Sequence, residues 1–337
     1  MLRFGILGFG LHGDRRLMPG FARARRSQVT AISRRSMEKA RATAERYGIP
    51  QAFDSKLELC RSNEVDAIFI ATPNAEHCAD TLLALECGKP VLCEKPMAMN
   101  AEEAARMVHA ARQARLPLGI AQVFRFEQSV GRLRRRVAAG DIGRPVFARA
   151  EFSYWGVGHP RAWLLQRSLS GGGPIADVGV HCLDALRYVL DNEIVRLAAL
   201  GHNDRRSGEV EAAAALALEF HSGCLGAVLV SLRAGYRTPF EIVGEAGVLS
   251  ADDGLTVDHP IEIVCRRGDR IERETVDNSD TYARQVDAFA ATVEDGIPFP
   301  APGEEGWRNQ VLLDAAYESI GSGQTIRIQS AALKTAL

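Results

Sequence analysis

Leu2-Arg3-Phe4-Gly5-Ile6-Leu7, followed directly by Gly8-Phe9-Gly10-Leu11-His12-Gly13, constrains the fold more than any other stretch of this 337-residue chain. The apolar run reads as a strand, and glycines at G-x-G-x-x-G spacing lead it into a segment of helical character. Each glycine meets a different steric demand. Gly8 permits the tight turn, Gly10 lets backbone approach a pyrophosphate, and Gly13 lets helix and sheet pack closely. The N–H groups that open the helix then face the phosphates. Gly8, Phe9, Gly10, Leu11, His12 and Gly13 are therefore candidate contacts to a dinucleotide.

A second strand, Val29-Thr30-Ala31-Ile32, ends at Ser33-Arg34-Arg35. An NAD site ordinarily carries an acid here for the ribose hydroxyls, about twenty residues after the last glycine. A small hydroxyl and two guanidiniums suit a 2′-phosphate instead, so Ser33 and Arg34 favour NADP(H), with NAD(H) as the alternative. Strand and helix go on alternating. Met37 to Tyr47 reads as helix, Val65 to Ala71 as a buried strand ending at Thr72-Pro73-Asn74, and a helix follows through Glu86. The next strand, Val91-Leu92-Cys93, runs straight into Glu94-Lys95-Pro96. Ala101 to Ala114 is helical again, and Leu118 to Ala121 is the last strand. This pattern predicts an α/β fold with a Rossmann-type, doubly wound parallel sheet over residues 1–121. Ligands of such sheets bind beyond the carboxyl ends of the strands. Thr72, Pro73, Asn74, Glu94 and Lys95 are thus delivered to a binding crevice, and His77, one helical turn on, is a further cofactor candidate.

From residue 122 the period changes to two. Val146 to Tyr154, parts of Ala213 to Phe220, Leu225 to Leu232 and Ile261 to Val264 alternate without helices between them. Residues 122–337 are therefore expected to form a separate α+β domain with a large, mostly antiparallel sheet, its C-terminal helix free to pack back on the first domain. One sheet face takes the helices. The other, rich in Ala, Val and Leu, is a candidate subunit interface. Within this region Gly171-Gly172-Gly173 leads into a helix starting near Pro174, which puts Asp177 and His181 four apart on one face. A carboxylate and an imidazole so placed form either a proton-handling pair or a simple helix-face pair.

Composition excludes several classes. A formal net charge of −1 gives no support for a nucleic-acid partner. The basic run Arg132-Leu133-Arg134-Arg135-Arg136 is expected on a solvated helix face. Seven cysteines form no C-x-x-C pair and no metal-like cluster, which fits buried thiols in a reducing compartment. Cys93 and Cys182 lie near the candidate sites, with structural filling favoured over reactivity. No run has signal-peptide character or membrane-spanning length. A cytoplasmic protein without a metal site is expected.

Taken together, the glycine fingerprint, Thr72-Pro73-Asn74, Glu94-Lys95-Pro96 and Gly171-Gly172-Gly173…Asp177-x-Gly179-x-His181 resemble the Gfo/Idh/MocA family of nicotinamide-dependent oxidoreductases. The resemblance covers nearly the whole chain, and Ser33-Arg34 with Gly171–His181 is most similar to the anhydrofructose-reductase-like branch. It implies catalytic roles for Lys95, Asp177 and His181, a Lys95–Pro96 bond that is often cis, substrate contacts from Arg125 and Tyr282, and Trp163 near the nicotinamide. Leu164 departs from relatives that carry arginine after that tryptophan. The implied activity is hydride transfer between NADP(H) and a carbonyl or secondary alcohol of a sugar or polyol, in a homodimer or homotetramer built on the C-terminal sheet. Two rival readings stay open here: a non-catalytic NADP-binding sensor, and net non-redox elimination or glycoside cleavage with bound NAD(H). Whether Lys95 or His181 is the terminal proton donor also stays open.

Overall fold

The structure, a computed structural model, describes residues 1–328. It contains a six-stranded parallel sheet and a ten-stranded, mostly antiparallel sheet, as the sequence leads one to expect. The first is formed by β1 (Leu2–Leu7), β2 (Ser27–Ser33), β3 (Gln51–Phe53), β4 (Ala67–Ile70), β5 (Val91–Cys93) and β6 (Leu118–Ile120), in the order β3-β2-β1-β4-β5-β6. The order reverses between β1 and β4, which makes the carboxyl ends of these strands the binding edge. Strands β4, β5 and β6 are buried throughout and read as continuous apolar runs, because helices cover both faces. Strand β3 has no counterpart in the sequence reading: three half-buried residues are too short a run to show a period.

The chain divides into two compact units, 1–123 with 282–307, and 124–281 with 308 onward. A single cut after residue 121 does not describe this division, since a later helix belongs to the first unit. That helix, Thr281–Asp295, is tied there by Asp287, which accepts the Arg25 and Arg26 backbone N–H groups at 2.7 and 2.9 Å. Phe289 packs on Phe4 and Phe299, and the Ile120 N–H donates to Ala301 O at 2.8 Å.

The second unit holds β7 (Pro145–Trp155), β8 (Ile194–Asn203), β9 (Glu211–Phe220), β10 (Leu225–Ser231), β11 (Arg233–Arg237), β12 (Phe240–Gly244), β13 (Val248–Ala251), β14 (Ile261–Arg267), β15 (Arg270–Val276) and β16 (Ile326–Arg327). Their order is β15-β14-β13-β12-β7-β10-β9-β8-β16, with β11 also on β7. The pair β7–β10 is parallel and every other pair antiparallel. Several of these strands escape the alternation rule. In β15, for example, charged residues occupy both faces, so no apolar period survives. The arginine run lies on helix Gln128–Ala138, but its face is not simply solvated: Arg132 pairs with Glu274, and Arg136 with Asp141 and Glu272.

Candidate active site

Three loops meet at the carboxyl edge of the first sheet. Gly8 has φ +80°, and a Cβ there would lie 2.5 Å from Thr72 Cγ2, so this position requires glycine both for its backbone and for the approach of the β4 loop. Gly10 opens on space: the nearest atom to a Cβ there is Gly8 O at 3.9 Å. Gly13 packs on the Phe9 ring rather than against the sheet, with 3.1 Å between the would-be Cβ and the ring. Phe9 is thus buried as the loop's support, its N–H donating to Ser33 O at 3.1 Å. The helix that follows is π-wound over Gly13–Leu17. Pro19, just beyond, has no N–H for the carbonyl a turn earlier, and a wider turn accommodates that loss.

His77 does not reach a crevice by its side chain. It is fully buried, with Nδ1 2.9 Å from Pro96 O and Nε2 3.0 Å from Thr72 O. A neutral imidazole has one N–H, so it donates to one of these carbonyls at a time. Burial holds its pKa below the ordinary histidine value despite both carbonyls. His77 therefore braces the β4 loop against the β5 loop. Thr72 is likewise turned inward, its hydroxyl donating to Asp80 at 2.8 Å. Pro73 stays half-buried beside it, and Asn74 is buried at the start of the next helical turn.

Glu94 and Lys95 follow β5, and the Lys95–Pro96 bond is cis, as the resemblance implies. Glu94 is buried, and its Oε1 accepts from His12 Nε2 at 2.8 Å. Burial pushes this carboxyl up, but His12, then Lys95 and His77, outweigh it and hold it below the usual carboxylate range. Lys95 is half-buried. Tyr282 belongs to this unit too: it is the second residue of the helix Thr281–Asp295, its Cβ lies where a side chain on Gly20 would need to be, and its ring meets His12 edge-on at 6.0 Å.

In the second unit the triple glycine is not a flexible approach. Only Gly171 has positive φ, at 77°. A Cβ on Gly172 would fall 1.7 Å from the Tyr317 hydroxyl, and one on Gly173 would fall 2.2 Å from Glu211 O. The buried Glu211 carboxylate accepts the Gly173 and Ile175 N–H groups and the Tyr317 hydroxyl, each at 3.0 Å. It thereby anchors a π-helical turn, Ile175–Gly179, which passes into helix Val180–Leu190. The expected single helix from Pro174 is thus a π turn followed by an α-helix. Asp177 and His181 still point at one strand. Tyr154 on β7 donates to Asp177 at 2.7 Å, and His181 stacks on Phe152, two residues earlier, with Phe124 edge-on at 4.9 Å. Burial, then the Asp177 charge, push the Tyr154 phenol far above its ordinary value, so it remains a donor. Tyr154, His159, Leu164, Leu165 and Leu232 line a small cleft beside Asp177.

Two further residues assigned by resemblance lie in the second unit. The Arg125 side chain is only 6% exposed, and its guanidinium forks onto Asp184 through Nε and Nη2 at 2.9 and 2.7 Å while lying over the Tyr188 ring. That is an ion pair within the second unit. Trp163 is half-buried on the turn Ala162–Leu165. Sequence reasoning missed Tyr154 and Glu211. The only signal was a carboxylate opening the apolar run of β9, on a position facing inward. Cys93 and Cys182 are fully buried with thiols pushed well up, which makes them filling rather than reactive groups.

A dinucleotide fits this edge: the glycine loop is open at Gly10, and helix begins at residue 11, so N–H groups stand where a pyrophosphate binds. Residues 2–122 match the model of an oxidoreductase family with an NAD-binding Rossmann fold, and residues 130–250 match the Gfo/Idh/MocA C-terminal domain. The chain belongs to the Gfo/Idh/MocA oxidoreductases. It is 31% identical to 1,5-anhydro-D-fructose reductase of Ensifer adhaerens, over 98% of this chain and 99% of that one. It is 29% identical to a D-xylose 1-dehydrogenase (NADP(+)) of Haloferax volcanii, over 97% of this chain and 100% of that one. The crystal structure of an aldose-aldose oxidoreductase from Caulobacter crescentus superposes with a TM-score of 0.91 at 26% identity, covering 97% of this chain and 99% of that one. This Gfo/Idh/MocA protein is thus an NAD(P)-binding oxidoreductase. Among its described residues no helix is long and apolar enough to cross a membrane, and no group of His, Cys, Asp or Glu is arranged to hold a metal ion.

Proposed function

We propose that this family member is an NADP(H)-preferring dehydrogenase or reductase of a sugar or polyol. The observation that carries the reading is the assembly, at one sheet edge, of an open glycine loop and the Glu94–Lys95 turn, held by His77 and by the His12–Glu94 hydrogen bond. Relatives named for sugar substrates support the substrate class. When bound, the nicotinamide coenzyme supplies or accepts the hydride. Lys95, as an ammonium, donates to the substrate oxygen where negative charge develops during reduction. His181, clamped by Phe124 and Phe152, holds and delivers the proton. Asp177, kept in one orientation by the Tyr154 hydroxyl, accepts from a neighbouring substrate hydroxyl.

The coenzyme preference rests on Arg34 and Arg35. Arg34 Nη1 donates to Thr43 at 2.7 Å, which holds its guanidinium at the end of β2 in a stretch, Ser33 to Ser36, without a carboxylate. NADPH is expected to give the higher kcat/KM, and Arg34→Ala to raise the KM for NADPH by about tenfold or more while changing that for NADH by less than about threefold. A lower KM for NADH in the unmodified protein removes the preference.

Tyr154→Phe removes a donor to a charged acceptor, a loss of about 1.5–3 kcal/mol if it falls wholly on the substrate complex. The expected result is a KM for the sugar raised by about tenfold or more, with kcat less affected. An unchanged KM dissociates Asp177 from substrate binding. Screening NADPH oxidation against keto-sugars, aldoses and inososes identifies the substrate. A panel in which coenzyme binds tightly and nothing turns over supports a sensor instead.

We also infer a homodimer or homotetramer through the open face of the second sheet. Phe147 on β7 and Leu225 and Leu229 on β10 are 54%, 48% and 49% exposed, and Leu200 on β8, in register with Leu229 across Ala215 of β9, is 78% exposed, a patch that a monomer rarely leaves contiguous. The buried free thiols favour a cytoplasmic setting.

A further inference from the structure

The glycine loop carries a histidine at the position before its last glycine, and that histidine is bonded to the carboxylate that precedes Lys95. His12 and Glu94 stand 82 residues apart in sequence, with side chains 23% and 11% exposed. Between their strands lies β4, so the bond spans the Thr72 loop. The His12 ring also meets the ring of Tyr282, itself seated on Gly20, edge-on at 6.0 Å. Glu94 is fixed through its backbone, its N–H donating to Ile70 O at 2.9 Å, and its second oxygen faces the Lys95 N–H at 3.3 Å.

A buried carboxylate at this edge poses a problem. The edge is where N–H groups and the helix start gather to hold an anion, and Glu94 is an anion already in place. In a low-dielectric pocket its charge acts strongly on a second anion a few ångströms away. His12, within the loop that takes the pyrophosphate, is hydrogen-bonded to Glu94 Oε1 at 2.8 Å.

We propose that His12 is a positioning residue that masks Glu94, so that the glycine loop accepts the coenzyme's pyrophosphate only while the His12–Glu94 bond is made. This rests on the coenzyme reading of the first unit given above. The role is separate from that of the glycines, which supply space and backbone, and from that of Lys95, which touches substrate. It predicts that the identity of residue 12 matters for coenzyme affinity only while residue 94 is charged. A residue that merely fills space against Tyr282 would show no such dependence.

The test is a double-mutant cycle on the full chain, read by calorimetric titration of NADPH and of NADH, with the thermal unfolding midpoint of each variant recorded. His12→Leu is expected to raise the coenzyme Kd by about tenfold or more in the Glu94 protein and by less than about threefold in the Glu94→Gln background. His12→Gln, which keeps an N–H donor, is expected to stay within about threefold of the parent, and serves if His12→Leu fails to fold. Equal losses in both backgrounds, or no loss at all, overturn the proposal. If the unmodified protein binds neither coenzyme, it is the coenzyme reading that falls, an outcome visible before any variant is made.

Discussion

Lys95→Ala lowers kcat by on the order of 10³-fold and leaves the coenzyme Kd within about threefold of the parent value. The split follows from where the lysine stands. Strand β5 is fully buried and paired on both sides, with β4 and β6, so its carboxyl end is a fixed platform. The Ala121 N–H donates to Cys93 O at 2.8 Å, and the Glu94 N–H donates to Ile70 O, so the backbone on either side of the turn has no freedom to drift. His77 then holds the Pro96 carbonyl from beneath. Truncating the side chain removes an ammonium but disturbs none of these bonds. The coenzyme keeps its loop, and on the mechanism proposed above what is lost is the donor to charge that develops on the substrate oxygen. Steady-state kinetics with NADPH and the identified sugar, paired with coenzyme titration, reads both quantities. Near-normal turnover by the variant would falsify the central role of Lys95.

The largest stability effect is expected at Arg125. Arg125→Met leaves Asp184, 1% exposed, as a buried carboxylate that still accepts from the Asn309 amide at 2.7 Å. Removing one partner of a buried pair costs about 3–5 kcal/mol because the other charge is left without compensation. The thermal midpoint should fall by on the order of 10 °C. Adding Asp184→Asn should recover most of the loss, since the pair's attraction largely offsets its own desolvation. Below the transition the Arg125→Met variant is expected to keep its KM for substrate. A raised KM with an unchanged midpoint would return Arg125 to the substrate-contact role that resemblance implied. The difference is instructive, because Val-Phe-Arg-Phe looks the same whether its arginine faces a ligand or an aspartate from another helix.

Much of this protein was legible from contiguous residues. The glycine spacing, the short apolar strands bounded by Gly and Pro, and the charges placed directly after them are local signals, and they led to the parallel sheet, its binding edge, and Lys95 on it. The period-two stretches led to a second sheet, and the Asp177–His181 spacing to a shared face that the π turn preserves. What local pattern cannot carry is the choice of partner across the sequence. Glu94 reads in the sequence only as a charge delivered to the binding crevice, and its bond to His12, 82 residues away, comes from the tertiary structure. Arg125 meets Asp184 across 59 residues, and Glu211 holds the glycine turn across 38. His77 looked like a crevice residue and is a brace between two carbonyls. Each of these outcomes depends on which polar group the packed chain leaves within about 3 Å of another, and burial decides it, since a buried donor or acceptor without a partner costs more than any local preference supplies. The sequence alone thus determined the fold class and placed Lys95 at the carboxyl end of β5. Only the tertiary structure decided which polar partner each of the surrounding residues meets, because burial makes a donor or acceptor without one costly.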